Sequence, residues 1–396
     1  MADRVRIQER LAALWGIAQG PAGGADRPAF SPAEAQAIRL VAGWATEAGL
    51  RTGLDGAGNL WALPPGDTGA LVTAGSHVDT VPDGGRYDGA LGTVLGLELA
   101  AELPGSGLMV CVAEEAPRFG AGTIGSRLLT GALAAEDLER FRDDAGVSAA
   151  AAREQYLAAL ADLDQIEPPL ARWRGHAEVH VAQRWALKRI GVVTRVASPR
   201  RYEAVVSGAA GHSGELSMDD RRDALAAAAE LVLAVEAAAR AEPAETVATV
   251  GTLTVSPGAV SIVPGSVRLG IDVRAIEASS LDRVSAALAT AAAQIGLRRC
   301  TPIALSLVRD GSPVQMDAEL VAAALQTAVQ LGVPAEATWS GAGHDAQHLS
   351  ALTRALLLFV PLHDGESHTP AEGASLDESL DALRVAGGVL RGVLAS

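Results

Sequence analysis

The order of apolar segments along this 396-residue chain predicts an α/β protein: a mostly parallel, helix-covered sheet interrupted by a small α+β unit. Two patterns carry that expectation. Short buried-strand runs alternate with helical stretches toward both ends of the chain, as in a parallel sheet covered on both faces. The middle instead reads strand, helix, strand, strand, helix, strand, the order of a ferredoxin-like unit. At roughly 100–200 residues per domain, the length suits two domains. The inserted one is placed at 194–306, and the sheet-bearing one at 1–193 and 307–396.

Ser31, Pro32 and Glu34 supply an N-cap, an N1 proline and an N3 glutamate, so a helix should run from there to about residue 48. The apolar run at 70–74 ends at Gly75, a buried-strand signature. Helical spacing follows over 89–103, a second buried strand over 108–113, and Ala- and charge-rich helices over 135–161. Residues 194–206 read as a hairpin bent near Arg200 and Arg201, and 219–241 as a long helix. Two alternating strands, 246–255 and 266–274, are joined through Ser256, Pro257 and Gly258. A second long helix (280–296) and a strand (303–308) close the insert, and a buried strand (355–360) and a helix (376–394) close the chain.

A net charge of −15 and 3% aromatic residues argue against nucleic acid, which needs a basic surface and stacking rings. No apolar run approaches the roughly 20 residues of a membrane helix. The N-terminus leads into an amphipathic helix rather than a signal-peptide core, so a cytoplasmic enzyme is expected. Cys111 and Cys300 cannot make a disulfide framework or a thiolate metal site, and both sit among apolar residues as small hydrophobes.

His77 and Asp79 lie just past the strand at 70–74, and ligand sites of open α/β sheets gather beyond the carboxyl ends of strands. Asp88 follows a turn-rich loop and opens the next helix. Glu114 and Glu115 end the next strand, so acidic and imidazole groups converge at one sheet edge. Like charges held that close repel unless a cation is present. Imidazole with carboxylate suits zinc, manganese, cobalt or nickel. Each residue alone could be an ordinary loop side chain; the combination at two strand ends and a helix start favours a metal site. In a continuing strand Glu114 and Glu115 would point to opposite sides, so joint use needs a bend, for which Ala116-Pro117 is suited. His176 and His180 would share a helix face, but 177–181 alternates as a strand, which puts Glu178 beside His180.

Several ordered stretches resemble the M20 metallopeptidase-type amidohydrolases: Gly75 through Thr80, Gly84 through Gly89, and Glu114-Glu115. Arg118-Phe119-Gly120, Gly125-Ser126-Arg127, Arg221 through Leu225, Val263-Pro264-Gly265, Asp272-Val273-Arg274, Ser340 through Ala346 and Ser367-His368-Thr369-Pro370 narrow the resemblance to the hydantoinase/carbamoylase branch. The resemblance implies a zinc-peptidase-like catalytic domain holding two divalent metal ions (Zn, Mn, Co or Ni), and an inserted dimerisation or lid domain. It implies that His77 and His180 bind one metal, Glu115 and His368 the other, and that Asp88 bridges them. Asp79 would fix the tautomer of His77. Glu114 would be the general base toward a water activated by both cations. His212 would reach the site of a partner subunit in a homodimer and stabilise the oxyanion. His176 would be a loop residue, His344 would shape the substrate pocket, and His348 and His363 would be structural.

Substrate-facing positions depart from the family. After His180 the usual Ile-Glu-Gln-Gly-Pro becomes Val181-Ala182-Gln183-Arg184-Trp185. Gly211 and Ser261 each replace an asparagine, and Thr-Thr-Pro-Met becomes Glu215-Leu216-Ser217-Met218. Arg274 can still grip a carboxylate bidentately. Gln183, His212, Ser261, Arg274, Gly341 and Ala342 are therefore the expected substrate contacts; Arg184 is either a further one or a solvated charge. The resemblance implies hydrolysis of a linear C–N bond in a small ureido or amide substrate bearing a carboxylate, by default an N-carbamoyl-L-amino acid. Allantoate, ureidoglycolate, 3-ureidopropionate, an N-acyl amino acid or a peptide are alternatives, as is a non-catalytic ligand-binding homologue.

Overall fold

The computed structural model describes residues 3–66, 69–183, 187–363 and 366–396. The chain runs through α1 (Arg4–Trp15), α2 (Pro32–Glu47), β1 (Arg51–Leu54), β2 (Leu60–Leu63), β3 (Leu71–Ala74), α3 (Ala90–Glu102), β4 (Ser106–Val110), α4 (Ile124–Leu129), α5 (Ala149–Ala159), β5 (Trp173–Val181) and β6 (Ile190–Val196). It continues through β7 (Ser198–Ser207), β8 (Gly211–His212), α6 (Ala224–Arg240), β9 (Val247–Ser256), β10 (Ile262–Val263), β11 (Ser266–Ala275), α7 (Ala278–Arg299) and β12 (Ile303–Asp310). It closes with β13 (Val314–Gln315), α8 (Ala318–Leu331), β14 (Ala335–Ser340), α9 (Asp345–Leu349), β15 (Arg354–Val360) and α10 (Leu376–Ala395). Two compact units result: Met1–Thr194 with Gln315–Thr338 and Gly343–Ser396, and Arg195–Val314 with Trp339–Ala342.

In the larger unit, β4, β3, β5 and β15 lie side by side and parallel, forming the centre of the sheet, while β1 and β2 add an antiparallel edge. Alternate residues of β2 enter different apolar clusters, Leu60 and Ala62 one, Trp61 and Leu63 the other, so the sheet is buried on both faces. That is why these strands read as continuous apolar runs rather than alternating ones. Helix α3 is buried along 90–100 and packs on β3, β4 and β5. A Cβ at Gly92 would fall 2.0 Å from the Val179 carbonyl, so this close approach requires glycine. Glu98, buried in α3, is gripped by Arg6 at 2.8 and 2.6 Å and by Arg10 at 2.7 Å, which ties α1 to the sheet layer and satisfies the buried charge.

The smaller unit has an antiparallel four-stranded sheet in the order β12-β7-β11-β9, with α6 and α7 packed against it. It reaches Val314 rather than stopping at 306, because β12 pairs with β7 as far as Asp310. Residues 194–206 are not a hairpin. Arg200 and Arg201 sit inside β7, where Asp310 and Asp272 each neutralise one guanidinium at 2.8 Å. The helix expected from 219 begins at Ala224, because the Asp223 side chain caps the N–H groups of Leu225 and Ala226. Cys111 is buried, but Cys300 is exposed at the C-cap of α7 with φ +51°. Among the described residues, no helix is long and apolar enough to cross a membrane.

Candidate metal centre

Four adjacent parallel strands end on one edge of the larger sheet, where open α/β sheets gather ligands. His77 and Asp79 follow β3, Glu114 and Glu115 follow β4, His180 lies at the end of β5, and His368 lies beyond β15. Asp88 precedes Gly89, the N-cap of α3. Gly89 has φ +62°, and a Cβ there would fall 2.4 Å from the His77 ring, so a side chain would be both strained and obstructed.

The Nε2 atoms of His77 and His180 face each other at 3.3 Å. Each ring turns Nδ1 to a backbone carbonyl, His77 to Asp79 at 3.1 Å and His180 to Val181 at 2.9 Å. An imidazole donating from Nδ1 presents a lone pair at Nε2. Asp88 Oδ1 lies 3.5 Å from the first Nε2 and 3.0 Å from the second, and this buried oxygen makes no hydrogen bond among the described residues. Asp88 Oδ2 is 3.2 Å from His368 Nε2, which is 3.6 Å from Glu115. His77, Asp88 and His180 thus form one group with ligand atoms within 4.8 Å of one another; Asp88, Glu115 and His368 form a second, sharing Asp88. Glu178, His180 and His344 make a third such group, but Glu178 already accepts the Ser76 hydroxyl and the Ala346 N–H, both at 2.8 Å.

Burial opposes charge on both histidines, yet carboxylates prevail. Glu114, Asp79 and Asp88 hold His77 well above its ordinary value, and Asp88 raises His180 to about 9. Burial pushes Glu114 well up, and burial with Asp88 raises Glu115 to about 7. Such buried like charges call for a cation.

Asp79 accepts the N–H groups of Glu114 at 3.1 Å and Glu115 at 2.9 Å, while its Oδ1 is 3.4 Å from His77 Nδ1. Its carboxylate therefore orients the glutamate pair as well as bordering the histidine. The chain bends on both sides of the glutamates: Ala113 before them has φ +53°, and after them the Ala116 carbonyl accepts the N–H groups of Phe119 at 3.3 Å and Gly120 at 2.8 Å, a turn at Ala116-Pro117. Glu372 accepts the N–H groups of Tyr87 at 2.7 Å and Asp88 at 3.0 Å.

Gln183 joins this site, its Nε2 3.4 Å from Asp88 Oδ2 and 3.2 Å from His368 Nε2. His344 is buried edge-on against His180, ring centroids 4.6 Å apart. His176 is a buried residue of β5, not a loop residue: its Nδ1 meets the Thr73 hydroxyl at 2.9 Å, and that hydroxyl accepts Trp173 Nε1–H at 2.9 Å. Burial lowers it to about 3. Arg184 and Trp185 lie outside the described residues. The remaining expected contacts belong to the smaller unit. There His212 is exposed and pairs with Ile262, Ser261 accepts the Ser213 N–H at 2.9 Å, and Ala342 donates its N–H to Ser340 Oγ at 3.2 Å. Arg274 binds Asp272 at 2.8 Å and the Gly341 carbonyl at 3.2 Å.

Residues 73–392 match the family model described as Peptidase family M20/M25/M40. The chain belongs to this family. An N-carbamoyl-L-amino acid amidohydrolase of Geobacillus stearothermophilus is 35% identical over 396 residues, covering 96% of this chain and 95% of that one. An allantoate amidohydrolase of Bacillus subtilis (strain 168) is 32% identical, covering 83% and 82%. A crystal structure of an amidase of the hydantoinase/carbamoylase family from Burkholderia multivorans superposes with a TM-score of 0.88 at 29% identity, over 100% of this chain and 98% of that one. The relatives of this M20 chain are thus hydrolases of linear C–N bonds.

The donors of this M20 chain fit a divalent cation. Two imidazole Nε2 atoms converge beside a buried carboxylate oxygen that makes no hydrogen bond among the described residues, a set that suits zinc, manganese, cobalt or nickel. Glu178 lies beside His180, as the strand alternation of 177–181 implies, whereas sequence reasoning missed the site roles of Glu34 and Glu372, buried carboxylates that hold backbone around the donors. Glu34 carried a signal, but one that pointed only to a helix cap.

Proposed function

We propose that this protein is a two-metal amidohydrolase of linear ureido or amide bonds, with an N-carbamoyl-L-amino acid as its default substrate. The observation that carries this reading is the sharing of Asp88 between two donor groups. His77 and His180 would hold one cation, Glu115 and His368 the other, with Asp88 between them. Bound cations would lower the pKa of a water and polarise the substrate carbonyl. Glu114, whose carboxyl burial pushes well up, would take a proton from the attacking water and return it to the leaving nitrogen. Asp79 orients the Glu114-Glu115 peptide and borders His77. Gln183, beside Asp88 and His368, meets the substrate at the reacting end.

In the smaller unit, Arg274 with Gly341, Ala342 and Ser261 receives the substrate carboxylate, and His212 supplies oxyanion stabilisation across a homodimer. That unit serves as the dimerisation and closing domain, and the enzyme works in the cytoplasm on small substrates. Resemblance to the named relatives supports these assignments, and the retained Arg274 guanidinium supports a carboxylate-bearing substrate.

Metal analysis with Glu114→Gln tests the reading. Wild type should bind two cations per chain and turn over one member of a ureido and acyl substrate panel after loading with manganese, cobalt, nickel or zinc. Glu114→Gln should keep the metal and lose turnover; equal turnover in both would overturn the assignment.

A further inference from the structure

The backbone that presents the two glutamates is held by side chains at every N–H. Val112 N–H donates to Asn59 Oδ1 at 3.1 Å, Ala113 N–H to Glu34 Oε1 at 2.8 Å, and Glu114 and Glu115 N–H to Asp79. These four successive amides have left the sheet: β4 ends at Val110, and Ala113 turns through φ +53°. A residue with a Cβ resists the left-handed region, so the surroundings must hold Ala113 there.

Glu34 is the group placed to do so. Its own N–H donates to Ser31 Oγ at 3.1 Å, the first half of a capping box. In the second half, the glutamate would reach back to the N-cap N–H. Here Ser31 N–H instead meets the Pro28 carbonyl at 3.0 Å, which frees the carboxylate. One oxygen takes Phe30 N–H and the other reaches Ala113, 79 residues away in sequence. Phe30, like Ala113, is a non-glycine residue at φ +53°. Glu34 is 0% exposed, so bulk solvent does not compete for its carboxylate.

We infer that Glu34 is a positioning residue for Glu114: by binding Ala113 N–H it holds the left-handed turn that brings both glutamates to the metal centre. This rests on Glu114 acting as the base. Loss of the Glu34 carboxylate should leave substrate binding intact and disorder the base.

Glu34→Gln is expected to lower kcat 10- to 100-fold with KM within about twofold. Its apo form, titrated with manganese, should keep one site at wild-type affinity and weaken the other about tenfold, since Glu115 shares the turn. Val41→Ala on the same helix, also buried, serves as a stability control and should lower Tm while keeping kcat within about twofold. Adding Ala113→Gly to Glu34→Gln should recover part of kcat, because glycine adopts positive φ without a Cβ penalty. Equal kcat losses for Glu34→Gln and Val41→Ala at matched Tm loss would overturn the inference. So would an unchanged kcat in Glu34→Gln. If Glu34→Gln does not fold, Glu34→Asp, with its shorter reach to Ala113, carries the same expected kcat loss and the same failure criterion. Wild-type turnover by Glu114→Gln would instead sink the assignment of the base.

Discussion

Glu372 accepts the N–H of Asp88 at 3.0 Å, across 284 positions of sequence, and that of Tyr87 at 2.7 Å. The Ser367 hydroxyl lies 3.2 Å from Asp88 Oδ2 and 3.3 Å from Glu372 Oε2, so the segment bearing His368 and the loop bearing Asp88 are tied at one place. Glu372→Ala should therefore weaken the site formed by Asp88, Glu115 and His368 by roughly 10- to 100-fold, the usual cost of losing a group that orients a ligand. Calorimetric metal titration of the apo-protein checks it; two unaltered sites would show that Glu372 does not position Asp88.

Asp79 presents two acceptor oxygens to two successive amides. Asn in its place can accept only one of them and would set an N–H donor against the other. Asp79→Asn should cost about 100-fold in kcat and reduce metal retention on dialysis. Retention of both would leave Asp79 with no part in orienting the glutamates.

Gly89→Ala should abolish stable metal binding. The new Cβ would lie 2.4 Å from the His77 ring on a backbone at φ +62°, so either the imidazole or the start of α3 must move. Metal content by mass spectrometry, with circular dichroism to confirm folding, reads the outcome; full occupancy would contradict the close approach.

His176 makes stability fall in acid. Burial holds it near pKa 3, against about 6.5 in an unfolded chain, so the unfolded state binds the extra proton between those values. Its neutral form is compatible with the fold above about pH 6.5, and stability is lost as pH falls through the window from 6.5 toward 3. Urea unfolding of wild type and His176→Gln between pH 6 and 4 should diverge by about 1.4 kcal/mol per unit, with wild type the steeper. Parallel curves would mean that His176 is not held neutral.

His212→Ala should lower turnover at unchanged metal content, since His212 is an exposed residue of the smaller unit and belongs to neither donor group. Mixing His212→Ala with Glu114→Gln subunits should restore part of the activity if the histidine acts across a dimer. Absence of rescue despite demonstrated subunit exchange would place its action elsewhere.

Local patterns made much of the architecture legible. The Ser31 cap, the apolar runs of β3, β4 and β15, and the long helices of the smaller unit follow from nearest-neighbour chemistry and periodicity. The misreadings arose where distant partners decide. Arg200 and Arg201 suggested a bend, yet aspartates from other strands let them lie inside β7. The short strands β1 and β2 carry too few residues to show a period.

The residues of the candidate site could be read for a comparable reason. His77, Asp88, Glu114 and Glu115 stand at strand ends and a helix start, positions marked by composition, and the parallel sheet brings such ends together. By itself, then, the sequence determined the order of elements and the chemical types gathered at one edge. Only the tertiary structure decided which carboxylates face the histidines and which hold the backbone. A buried amide must find an acceptor, and which side chain reaches it depends on packing between segments far apart in the chain. Hence Glu34, in sequence a helix cap, is in three dimensions the support of Ala113 and of the two glutamates beyond it.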